Sequence, residues 1–150
     1  LGLFTGLTVA ENLHLAARTR AADKSRMDWI HSLFPNLNKF WDRSAGHLSG
    51  GQKQMLSIAK AMVEPKRLIL VDEPTKGLAP SVVMELIEAF QQLVRQGTSI
   101  LLVEQNFHFA ESLAEDVTVL ESGKSVWHGK MSEIAGSETL RKQLLGVSLD

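Results

Sequence analysis

Ser49, Gly50 and Gly51 in the run "LSGGQ" (48–52), with Asp72 and Glu73 at the end of "LILVDEP" (68–74), are the residues of this sequence best suited to phosphate chemistry. Two consecutive glycines let the backbone approach a ligand closely. If a helix follows them, its free N–H groups and positive dipole end make an anion site, to which the Ser49 hydroxyl adds a donor. The same residues also suit an ordinary glycine-rich helix start. Asp72 and Glu73 close an apolar run, and ligands in open α/β sheets gather at the C-terminal ends of strands. There Asp72 can hold Mg2+, usually through water, and Glu73 can orient an attacking water or accept its proton. A strand that simply ends in solvated acids is the alternative. The chemistry that uses both groups is hydrolysis of a nucleoside triphosphate.

These residues need elements to hold them, and the sequence supplies an alternation of helices and strands. Thr8 with Glu11 three residues on has capping-box spacing and predicts a helix over about 9–19. A second helix begins near Ser25, with Trp29, Ile30, Leu33 and Phe34 on one face, and stops at Pro35. After "LSGGQ", Met55, Leu56, Ile58, Ala59, Met62 and Val63 recur at helical spacing. "RLILVD" (67–72) is an apolar run of strand length, the pattern of a strand covered on both faces. Pro80 can open the next helix, with Val82, Val83, Leu86, Ile87, Phe90 and Val94 as its core face and Gly97 closing it. "SILLVE" (99–104) reads as a second buried strand, followed by a short helix through Ala110 to Ala114. "DVTVLESGKSVWHG" reads as two strands around a turn at Ser122-Gly123, and helices run over about 131–145. Strands alternating with helices from residue 67 onward predict an α/β sheet, parallel at its centre.

Composition narrows the classes. The 150 residues are 44% hydrophobic and 22% charged, which suits a globular domain and argues against disorder. A net charge of -1 without a basic run gives no footprint for nucleic acid, so no nucleic-acid partner is expected. The absence of cysteine excludes disulfides and cysteine-based zinc sites, and no apolar stretch approaches the roughly 20 residues that span a bilayer. His14, His31, His47 and His128 show no metal-ligand spacing.

The stretch "LSGGQKQMLSIAKAMVEPKRLILVDEPTKGLAP" resembles the signature motif, following helix, Walker B strand and D-loop of an ABC-type ATPase. "LFPNL", "DEPTKGLAP" and "ILLVEQN" resemble more narrowly the branched-chain amino acid class of ABC importers, whose relatives include urea and short-amide importers. The resemblance implies a partial P-loop NTPase domain, with a helical signature subdomain over 1–64 and the C-terminal half of the catalytic α/β core over 65–150. It implies a head-to-tail dimer in which Ser49, Gly50, Gly51 and Gln52 contact the ATP of the opposite subunit. Asp72 (Mg2+) and Glu73 (water) then act on their own subunit's ATP, and Gly77 and Leu78 belong to the D-loop across the dimer axis. Gln105 stands at the switch position where many relatives place a histidine; it can donate an amide hydrogen bond to a γ-phosphate oxygen but cannot become cationic. His108 is a weaker candidate for that role.

The implied partners are a second ABC ATPase subunit and membrane permease subunits, with a substrate-binding protein served indirectly, at the cytoplasmic face of the inner membrane. A P-loop G-x-x-x-x-G-K-[ST] is missing: the "GKS" at 123–125 has Thr118 where the first glycine belongs and sits in a predicted hairpin. The resemblance therefore places the P-loop before Leu1 and implies that these 150 residues alone do not hold ATP-Mg2+ and leave an apolar sheet face uncovered. Two other readings remain at this stage. One is a soluble ABC-type ATPase of DNA maintenance or translation, against which residues 20–47 offer no coiled coil; the other is a non-catalytic fragment that pairs with an intact ATPase subunit.

Overall fold

The computed structural model of the chain describes residues 2–17 and 24–146, which form two compact units, Leu1–Gln105 and Asn106–Asp150. Compactness does not test the expected subdomain boundary at residue 65, because helices and strands on both sides of it share the first unit.

In the first unit, helix α1 (Val9–His14) starts with the expected capping box: Glu11 N–H donates to Thr8 Oγ1 at 3.1 Å and Thr8 N–H to Glu11 Oε2 at 2.7 Å. It is shorter than the predicted 9–19. Beyond His14 the bonds tighten to Ala16 N–H on Leu13 O and Ala17 N–H on His14 O, a three-residue step that ends the α-helix. Residues 18 and 19 of that prediction lie outside the described residues. Helix α2 (Lys24–Leu33) buries Met27, Ile30 and Leu33, and stops where Phe34, at φ -125° and ψ 63° ahead of Pro35, leaves the helical backbone. Pro35 then opens the short α3 (Pro35–Asn38). Helix α4 (Gly50–Met62) buries Met55, Leu56, Ile58, Ala59 and Met62 at the predicted spacing, and α1 and α3 pack on it.

Strand β1 (Leu68–Asp72), helix α5 (Pro80–Arg95) and strand β2 (Ser99–Val103) form a βαβ unit whose strands pair in parallel, Leu70 against Leu101 and Asp72 against Val103. Helix α5 turns Leu86, Ala89, Phe90 and Leu93 inward. Val94, predicted for the core, is 49% exposed, because a residue eight places after Leu86 lies about 80° around the helix from it. Val82, Val83 and Ile87 are half-buried. Glu85 and Gln92 of α5 and its C-cap Gln96 receive donors from the helical segment: Asn36 Nδ2 on Glu85 Oε1, Trp29 Nε1 on Gln92 Oε1 (2.8 Å) and Arg26 Nη1 on Gln96 Oε1 (2.9 Å).

The strands are not covered on both faces. Ile69 is buried, but Leu68, Leu70, Leu101 and Val103 stand exposed on the opposite face, Leu70 at 69%. A run apolar at every position does predict two burying faces, and within these residues only one has its cover.

The second unit holds α6 (Phe107–Glu111), the antiparallel pair β3 (Asp116–Glu121) and β4 (Lys124–Lys130), α7 (Met131–Ala135) and α8 (Glu138–Leu145). Its buried residues include Phe109, Val119, Met131 and Ile134. The hairpin turns at Ser122 and Gly123, both at positive φ (49° and 77°), as a two-residue turn of this hand requires. The "GKS" at 123–125 therefore lies in a hairpin, not between a strand and a helix.

Candidate phosphate-directed site

The segment leading into α4 is tied down before the helix begins. Buried Asn12 accepts from Phe4 N–H (2.9 Å) and donates to Phe4 O and Thr8 O (2.9 Å each), which shapes the loop at 4–8. That loop holds the next segment: Ala45 N–H donates to Leu7 O and Gly46 N–H to Thr5 O, both at 2.8 Å. A Cβ on Gly46 would lie 2.9 Å from Thr5 O, so no larger residue fits without moving backbone. Ser49 is then the N-cap of α4. Its Oγ accepts from Gln52 N–H at 3.3 Å and its own N–H donates to Gln52 Oε1 at 2.8 Å, a second capping box. Helix geometry leaves the first amides, at Gly50 and Gly51, without intrahelical partners. The two glycines differ in surroundings. A Cβ on Gly50 would meet nothing within 4 Å, whereas one on Gly51 would lie 3.1 Å from Leu78 Cδ2.

At the other segment, Glu73 N–H donates to Val103 O at 2.9 Å and so extends the β1–β2 ladder by one residue. Glu73 has φ +44°, a left-handed conformation that a residue ahead of proline adopts only under strain from its surroundings. Such strain gathers at functional sites. Both carboxylate oxygens are engaged: Gln105 Nε2 donates to Oε1, and Lys76 Nζ pairs with Oε2 at 2.7 Å. The bond and charge of Lys76, with a smaller part from the Gln105 amide, hold the Glu73 carboxyl below the usual carboxylate range, and Glu73 raises Lys76 in return. Glu104 supports the same corner, accepting from Thr75 N–H (3.3 Å) and Gln105 N–H (2.9 Å). The turn that follows closes with Leu78 N–H on Thr75 O at 3.1 Å, and Gly77 supplies its positive φ of 73°. Asp72 is exposed at the strand end.

The fold thus brings Glu73 together with Gln105, and Leu78 together with Gly51, while among the described residues no hydrogen bond joins Ser49 or Gln52 to Asp72 or Glu73. His108 lies 3.7 Å from Glu111 in the second unit. Lys76 is the residue that the sequence reading missed; a lysine three places after a strand-end acid, within a turn that brings it back, was the available signal. The donor set suits phosphate: exposed helix-end amides on one side, and on the other an acid able to hold Mg2+ beside a second acid and an amide. Among the described residues no group of three or more histidine, aspartate or glutamate side chains could hold a metal. Mg2+ shared with substrate phosphates is usually held by only one or two carboxylates.

The sequence profile of the ABC transporter family matches residues 1–76. The chain is 38% identical over 146 residues to the high-affinity branched-chain amino acid transport ATP-binding protein BraG of Pseudomonas aeruginosa, covering 96% of this chain and 63% of BraG. It is 36% identical over 148 residues to the probable branched-chain amino acid transport ATP-binding protein LivF of Archaeoglobus fulgidus, covering 97% and 63%. A solved ATP-binding subunit of an ABC transporter superposes with a TM-score of 0.76 at 28% identity, over 99% of this chain and 61% of that one. The ADP conformation of an ATP-binding cassette of another ABC transporter shares the fold, at a TM-score of 0.68 and 20% identity over 95% of this chain and 62% of that one. The chain, which spans about 63% of the length of these curated relatives, belongs to the ABC transporter family.

Proposed function

We propose that the chain belongs to an ATP-hydrolysing, energy-coupling subunit of an importer for branched-chain amino acids or related compounds, and that it carries two of that subunit's phosphate-directed segments. The observation behind this reading is their separation. An electropositive helix end at Ser49–Gln52 and an acidic strand end at Asp72–Glu73 lie on one chain with no hydrogen bond between them, which suits segments that serve different nucleotides. The BraG and LivF likenesses support the substrate class.

In this reading the Ser49 hydroxyl and the Gly50 and Gly51 amides, set in place by the cap that Gln52 completes, bind the γ-phosphate of the opposite subunit's ATP. ATP with Mg2+ supplies the labile phosphoanhydride and neutralises its charge. Asp72 holds the metal, in the usual case through water. Glu73 orients the attacking water or takes its proton, and Gln105, which spends one amide hydrogen on Glu73, has its second for a phosphate oxygen. Gly77 and Leu78 lie across the axis relating two ATPase subunits. In this reading the subunit works against permease subunits at the cytoplasmic face of the inner membrane, with a binding protein delivering the substrate; among the described residues no helix is long and apolar enough to cross a membrane.

Uptake of labelled leucine by the source organism tests this function. Disruption of the gene should abolish high-affinity uptake, the intact gene should restore it, and Glu73→Gln should not. Unchanged uptake of branched-chain amino acids, urea and short amides after disruption would contradict the proposal.

A further inference from the structure

The Lys76–Glu73 pair belongs to none of the roles above. It is built within one tight turn: Lys76 N–H donates to Glu73 O at 3.3 Å while Lys76 Nζ returns to Glu73 Oε2 at 2.7 Å. With Gln105 on Oε1, each carboxylate oxygen already accepts one bond, from groups of two different segments, and these two bonds fix the orientation of the carboxylate. A carboxylate that must orient a water or take its proton has to turn a remaining lone pair toward it, and two bonds that fix its orientation oppose that turn. We propose that Lys76 is a positioning residue that restrains Glu73, holding its carboxylate away from the attacking water until the turn at 75–78 shifts. This rests on the reading of Glu73 given above.

The restraint has a physical route to its release. Lys76 shares its turn with Leu78, and Leu78 packs against Gly51 at the start of α4. A displacement of the α4 N-terminus therefore moves Leu78 and, through the closed turn that the two residues share, Lys76. The restraint is also weak enough to open. The Lys76 side chain is 78% exposed and that of Glu73 25%, and exposed ion pairs contribute little in water. Its removal should change a rate by about 2–5-fold, not by orders of magnitude.

The test uses the full-length protein without its membrane partners. Lys76→Met should raise the kcat of ATP hydrolysis about 2–5-fold with KM unchanged, and Lys76→Arg, which can pair with the same oxygen, should return kcat toward the natural value. Independently of turnover, reductive methylation followed by mass spectrometry should show Lys76 reacting more slowly in the nucleotide-free natural protein than in Glu73→Gln, where the ion pair is lost. An unchanged or lower kcat in Lys76→Met, or equal labelling in the two proteins, overturns the restraint. If Glu73→Gln hydrolyses ATP at the natural rate, the role of Glu73 falls and the restraint with it. An inactive Glu73→Gln beside an unchanged Lys76→Met removes the restraint alone.

Discussion

The start of α4 and the end of β1, which the proposed function turns toward phosphate, are made in opposite ways. The helix start is electropositive through its backbone: Ser49 Oγ and Gln52 Oε1 accept the bonds of the cap, and the donors left over are the first amides and the Ser49 O–H. The strand end is electronegative through its side chains, and its backbone is strained, with Glu73 at φ +44°. A capped helix end is a rigid object that can meet a ligand brought from outside. A strained acid tied by a lysine and an amide can change partners. The contrast teaches that binding in one place and chemistry in another need different local physics, and each substitution below acts on one side of it.

The largest effect is expected at the strand end. Glu73→Gln in the full-length protein should keep ATP binding and lower turnover by about two orders of magnitude, read as phosphate release against nucleotide binding. Near-natural hydrolysis would remove Glu73 from the reaction. Next comes the anchoring of the helix start. Asn12→Ala leaves Phe4 N–H and O without their buried partner and should lower stability by about 1–3 kcal/mol in a denaturant titration, whereas a loss under about 0.5 kcal/mol would mean that the loop at 4–8 finds partners elsewhere.

At the helix start itself the two glycines should separate. Gly50→Ala has open space and should leave the fold unchanged or gain up to about 1 kcal/mol, yet weaken ATP-driven association about tenfold or more, because the new methyl stands where phosphate must approach. Gly51→Ala presses on Leu78 and should disturb the turn at 75–78 as well, visible as altered amide exchange there. Equal behaviour of the two alanines would erase the distinction.

The smallest effect concerns the seam that joins α3 to α5 behind both segments. Burial, and to a lesser degree the neighbouring Glu88, raises the Glu85 carboxyl above its ordinary value, against the bond from Asn36 and the charge of Lys39. The folded state therefore binds this proton more tightly than the unfolded one. Stability contributed here rises as pH falls through the folded pKa, levels off below the unfolded value near 4.3, and is lowest above both. Glu85→Gln keeps the acceptor for Asn36 and should raise Tm slightly at pH 7, with the gain vanishing near pH 4. A gain that persists at pH 4 would assign the effect to packing.

Much of this arrangement was legible before the structure. Pro80 opening α5, the Thr8–Glu11 box, the turn at Ser122-Gly123 and the parallel pairing of β1 with β2 each follow from one local rule with no competitor. What was not legible depends on contacts between segments. Val94 and Leu93 are equally apolar, and only the direction from which α5 is packed selects Leu93. The second face of β1 reads as buried because Leu68 and Leu70 are apolar, and only the family resemblance, not the pattern itself, leads to the expectation that these residues leave it uncovered. Within the site, Asp72 and Glu73 stand out by type and place and Gln105 through the family resemblance, whereas Lys76 and the packing of Leu78 on Gly51 become visible only once the turn at 75–78 has its shape.

In the proposed function the two segments serve ATP held between two ATPase subunits. The most direct test is the sedimentation of full-length Glu73→Gln with and without ATP-Mg2+, alone and combined with Gly50→Ala. The account predicts a monomer without nucleotide, a dimer with it, and a return toward monomer when Gly50→Ala is added. A protein that stays monomeric at saturating ATP, or a dimer indifferent to Gly50→Ala, would contradict it.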